Sequence, residues 1–247
     1  IMANQELLRF YPVEHLAQLP KNNPVRREIE KMAQLDSSPI AANRAESIVT
    51  PKNTFEIPTV SEELYKKTRE ALAKKGLTFV VAIDAVSVGQ LATGESTKDH
   101  LGYVNPSESM RAIVPPQMEI AIDPDNQRLR IKNSNSKSTD TQIKRIKREE
   151  KALKGKLPQE VRGLISMRMK NASVLVQLDF KYHEETGGIL FTNWFGRTDD
   201  EIVPDYTINV GRNDPTNKLS IGAWIRSDGY GPLFAVSVVV LPRKLAA

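Results

Sequence analysis

Apolar and polar positions recur along this chain with two periods, and the changes between them mark out its elements. In "NNPVRREIEKMAQLD", Val25, Ile29 and Met32 fall at helical spacing. Asn23 stands as a cap before them, and Pro24 takes the first helical position, where its missing N–H leaves no bond unmade. The first 36 residues read as helices. From Ser37 to Pro58 the period fades; three prolines and few apolar residues predict an extended arm. "TVSEELYKKTREALAKKG" then gives a clear helix. Thr59 and Glu62 form a capping-box pattern, and Gly76 ends the helix. Glu62–Lys66 and Glu63–Lys67 are i,i+4 pairs in the favourable order.

Period two takes over next. "LTFVVAIDAVSVGQLA" alternates around Asp84 and predicts one long strand, or two joined by a kink. "QMEIAIDPDNQRLRIKN" predicts a hairpin, with its two runs flanking Asp123-Pro124-Asp125-Asn126. From Ser173 onward, five strands are expected at about 173–183, 189–196, 203–211, 219–226 and 233–241. Turn signals separate them at Gly187-Gly188, Thr198-Asp199-Asp200, Asn213-Asp214-Pro215 and Asp228-Gly229. The last run is apolar on both faces and is expected to be central.

Between the hairpin and these strands lies "TDTQIKRIKREEKALKGKLPQEVRG". On a helix, Ile143, Ile146, Leu153 and Leu157 share a narrow stripe, with Glu150 inside it. Lys144, Lys147, Arg148 and Lys151 fall together on the adjoining side. Thr139 or Asp140 suits the cap. Gly155 closes the helix, and Pro158 opens "PQEVRGLISMRM", with Val161, Leu164 and Ile165 inward. The outline is that of a helix-turn-helix unit, although the start of the second helix offers base edges only Gln159 and Arg162.

Composition changes the picture in two places. The chain has no cysteine, which excludes disulfides, thiolate metal sites and cysteine nucleophiles. The net charge of +5 is unevenly spread: residues 128–156 hold eleven Lys or Arg against three acids, leaving the remainder net acidic. Clustered cations are what phosphate contact requires. Lys144, Lys147, Arg148 and Lys151 are therefore the expected phosphate contacts, with Arg128, Arg130 and Lys132 extending the patch from the hairpin. No aromatic interleaves them, so contact with a backbone is favoured over base stacking.

Catalytic patterns are sparse. Asp179-x-Lys181, on an expected strand, has the form used by metal-dependent nucleases, with Asp125 or Glu160 as the earlier acid and Mg²⁺ as the ion. The same spacing on a strand also makes a plain ion pair. His15, His100 and His183 lie in distant segments with no i,i+4 pair, so no metal site is expected from them. Arg-x-Asp recurs at Arg197, Arg212 and Arg226. It is read as strand ends meeting turns, with Arg197 and Arg226 sharing one end of a meander and Arg212 at the other. Asp84, inside an apolar run, is the remaining oddity: a buried carboxylate needs partners.

The expected fold class is α+β. N-terminal helices and an extended arm (1–58) precede a β-rich body (59–247), an antiparallel meander in a sandwich or partial barrel. A basic helical insertion at about 139–170 interrupts the body. The expected function is non-enzymatic binding or assembly, the basic helix touching nucleic-acid phosphates or an acidic protein surface. The alternatives are a nuclease or hydrolase centred on Asp179 and Lys181, and a scaffold or virion-shell subunit. No cofactor is expected outside the nuclease reading. The arm suggests a homo-oligomer. No apolar run is long enough for a membrane span and no secretory signal is evident, so the cytoplasm is expected.

Overall fold

The computed structural model describes residues 56–104, 111–168, 170–203, 206–213 and 218–245. The chain divides into two units, Ile1–Thr54 and Phe55–Ala247, and all the described residues belong to the second. The helices and arm expected before residue 56 lie outside them. Among the described residues, no helix is long and apolar enough to cross a membrane.

The body is α+β. Its elements run β1 (Thr59–Val60), α1 (Glu62–Ala73), β2 (Phe79–Ile83), α2 (Val88–Thr93), β3 (Leu101–Val104), β4 (Met118–Ile122) and α3 (Asn126–Leu129). Then follow α4 (Thr139–Gly155), α5 (Gln159–Arg162), β5 (Ser166–Met167) and α6 (Ala172–Thr186). The chain ends with β6 (Trp194–Val203), β7 (Tyr206–Arg212), β8 (Leu219–Ile225), β9 (Leu233–Phe234), β10 (Val239–Val240) and β11 (Arg243–Lys244). One sheet has the order β2-β4-β10-β5, a second β3-β8-β7-β6-β9, and β1 pairs with β11 in a small third. The β6-β7-β8 run is the expected antiparallel meander, while β3 and β9 flank it in parallel.

Strand alternation feeds two cores. Ile120 and Ile122 of β4 and Val240 of β10 point into one core with α6, Phe191, Trp194 and the meander. Ala121 and Val239, one residue out of step, point into the other with Tyr65 and Leu72 of α1 and Ile146 of α4. The β2-β4-β10-β5 sheet is therefore covered on both faces, as the period of two requires when each face finds a helix.

Several sequence expectations are corrected. The run 173–183 is not a strand: it lies in helix α6, capped by Asn171, which accepts from Val174 N, and closed by left-handed Gly187 at φ 69°. Residues 172–179 are all buried, polar Ser173, Gln177 and Asp179 among them, and a helix buried all round shows no apolar stripe to read. The expected long strand at 77–92 stops at Ile83. A capping box of Ser87 and Gln90 then starts α2. Ser61, not Thr59, caps α1.

The expected hairpin is absent because β2 and β10 already occupy both edges of β4. After Asp125 the chain makes the single turn α3, and the run 129–131 pairs with 235–237 instead. Ile131 N donates to Ala235 O at 3.0 Å and Ser237 N to Leu129 O at 2.8 Å. The second helix of the supposed helix-turn-helix unit is only four residues long and gives way to β5. The turn expected at 198–200 lies inside β6, where the register shifts. The final run at 233–241 splits, β9 joining one sheet and β10 another, so it links the two.

Candidate functional site

Helix α4 is fixed by its first turn. Ser138 caps it, accepting from Thr141 N at 3.4 Å. Thr139, at the start of the helix, receives Arg197 Nη1 on its hydroxyl at 2.7 Å. The same guanidinium donates to Arg226 O at 3.2 Å and Asp228 O at 2.8 Å. Gln142, fully buried, donates through Nε2 to Ser134 O and Leu233 O. Arg226 reaches Asp140 at 2.8 Å. The helix start is thus bolted to the meander; Arg197 lies within β6, opposite Asn209, and not at a strand end as expected, while Arg226 follows the end of β8. Burial lowers the Arg197 pKa to about 10, still well above neutrality.

The outward face of α4 carries Lys144, Lys147, Arg148 and Lys151, all exposed. Their spacing, i, i+3, i+4 and i+7, makes one stripe about 10 Å long. None of the four forms an ion pair with a described residue: Glu150 is taken by Lys154 at 2.8 Å and Asp140 by Arg226. Like charges three and four apart cost a few tenths of a kcal/mol per pair. The fold thus tolerates a mildly unfavourable arrangement here.

The remaining three predicted cations are placed differently. Arg128 lies 3.4 Å from Asp123 and 3.7 Å from Asp125. Arg130 is half-buried, its guanidinium over the rings of Trp194 and Phe234 at 5.7 and 5.2 Å. Lys132 is exposed on the loop before α4. The expected hairpin therefore does not carry these three cations: Arg128 lies on α3, and Arg130 and Lys132 on the run that follows it.

The acid-x-Lys pattern loses its geometry on α6. Two residues apart on a helix means about 200° of rotation, so Asp179 and Lys181 face opposite ways. Asp179 is buried and receives Arg212 at 2.8 and 2.6 Å, together with Leu190 N and Phe191 N. Lys181 reaches Ala82 O at 2.6 Å and Asp84 Oδ2 at 2.7 Å. Asp84 therefore sits exposed at the end of β2 with a cation on it, not buried in a strand. Asp125 caps α3, accepting from Gln127 N. The three groups of the nuclease reading have separate partners, and no group of three or more His, Cys, Asp or Glu among the described residues is placed to hold a metal.

Three arrangements escaped the sequence reading. Tyr65, from α1, donates to Glu119 of β4 at 2.5 Å. Its burial, then that carboxylate, pushes the phenol pKa up to about 12. Lys244 and Arg69 lie over its ring at 5.1 and 6.0 Å. Lys170, before α6, is nearly buried, and that burial, partly offset by Asp199, lowers its pKa to about 8. Finally, His100 and His183 meet with ring centroids 5.1 Å apart. Apart from Arg69 on Tyr65, one helical turn away, each pairing joins residues at least 29 positions apart, so no local period announces it.

Comparison with protein-family models, curated proteins and solved structures gives no match.

Proposed function

We propose that this chain is a non-enzymatic binding protein that seats the phosphates of a nucleic acid on the outer face of α4. The observation that carries the reading is the exposed stripe Lys144, Lys147, Arg148 and Lys151, free of ion pairs with described residues. Its mild self-repulsion is relieved when an anion neutralises it. A rigid mount strengthens the case, because the helix start is held by Arg197 and Gln142. The helix backbone that carries the row is already ordered, so binding has only the side chains to immobilise. With no aromatic on α4, binding is expected to be indifferent to base sequence.

The test is a salt titration with single- and double-stranded oligonucleotides. Four phosphate contacts give a log–log slope of about −3.6 for duplex and about −2.8 for a single strand. Replacing the four cations with glutamine should flatten that slope to near zero. Absence of binding at low salt, or an unchanged slope in the quadruple variant, overturns the proposal. Retention of an acidic polypeptide but not of oligonucleotides would assign the face to an acidic protein partner instead.

A further inference from the structure

His100 lies just before β3, and His183 in the last turn of α6, 83 positions later in the sequence. The fold brings their rings to 5.1 Å between centroids, with their planes inclined at 64°. His183 Nδ1 is 3.1 Å from Gly188 O. A carbonyl only accepts, so Nδ1 carries the proton and the neutral ring keeps its lone pair on Nε2. Histidines that ligate metals are oriented in this way, by a backbone carbonyl on the nitrogen facing away from the ion. His100 rests edge-on against Phe180 at 5.1 Å. Its ring nitrogens make no hydrogen bond to a described residue, so a lone pair is available there too. Both residues are half-exposed, so an ion has access.

The separation also fits. A zinc–imidazole bond is about 2.05 Å, which puts the metal about 3.2 Å from each ring centre. Two such rings at a tetrahedral angle have centres about 5.2 Å apart. Independently of the basic helix, we propose that His100 and His183 form a two-imidazole site for a borderline divalent transition ion such as zinc, nickel or copper(II). Imidazole suits these ions, and copper(II) should bind most tightly. Among the described residues no group of three or more candidate ligands exists. Water therefore completes the coordination, and the site is a surface clip, not a closed structural centre.

The experiment is calorimetric titration of the untagged full chain with Zn²⁺ and Cu²⁺. One ion per chain is expected, with affinity falling at least tenfold in both His100→Gln and His183→Gln. Imidazole ¹⁵N shifts of the wild-type protein supply a readout independent of variant folding: one equivalent of Zn²⁺ should move resonances of both rings. No binding, binding unaffected by either substitution, or a shift confined to one ring overturns the site.

Discussion

Asp179 and Arg212 meet as a two-pronged ion pair in the core, α6 facing β7, with both side chains almost wholly buried. The carboxylate also accepts two backbone N–H groups, from Leu190 and Phe191, and so holds the chain that leads from α6 into β6. Removing one member of such a pair leaves a buried, unmatched charge. Asp179→Asn or Arg212→Leu should lower unfolding free energy by about 3–5 kcal/mol, measured by urea denaturation. A loss under 1 kcal/mol in both would show that water reaches the pair.

Arg197 anchors α4 to the meander through Thr139 and two carbonyls. Arg197→Met keeps much of the side-chain bulk and takes its donor from Asp228 O, while Arg226 O keeps Thr139 N and the Thr139 hydroxyl keeps Thr207. A loss of about 1–3 kcal/mol is expected, with faster amide exchange in the first turns of α4. Arg197→Lys should restore little, because an ammonium lacks the planar fork. Full rescue by lysine would rule out the fork geometry.

The α4 stripe predicts an unusual stability result. Lys144, Lys147, Arg148 and Lys151 repel one another at i,i+3 and i,i+4 spacing. Glutamine at all four should leave the melting temperature unchanged or slightly raised, even as phosphate affinity is lost. Marked destabilisation would mean that these side chains hold the fold, contrary to their exposure.

Tyr65 fixes a pH dependence. Its folded pKa is raised to about 12 by burial and by the Glu119 carboxylate, against about 10 in the unfolded chain. From pH 10 to 12 the folded state keeps a proton that the unfolded state has lost. The contribution is thus fully present below pH 10 and is lost as pH rises towards 12. Tyr65→Phe should remove that portion of the alkaline fall. Ultraviolet titration should show a late-ionising tyrosine in the wild-type protein that the variant lacks, and an identical alkaline profile in the variant would contradict the assignment.

Much of the fold was legible where the pattern is local. Helix α1 and its pairs Glu62–Lys66 and Glu63–Lys67, at 3.1 and 2.8 Å, follow from spacing alone. So do helix α4 and the side of it on which the cations lie. Helix α6 was not legible: "SVLVQLDF" is rich in strand-favouring residues, and burial on every side erased the polar face that would have revealed its period. Residues 117–133 failed differently. Their alternation is real, but which strands pair is a contest among segments far apart, and β2 and β10 took both edges of β4. That outcome also set Arg128 beside Asp123 and Asp125, and Arg130 over Trp194 and Phe234.

By itself, then, the sequence determined the α+β class, the position of the basic helix and the face that its charges share, because side-chain period and helical geometry are properties of neighbouring residues. Only the tertiary structure decided that Asp179 answers Arg212, that Lys181 answers Asp84 and that His100 lies against His183. Those pairings depend on which distant segments bury one another's apolar surface, and no stretch of chain carries that information alone.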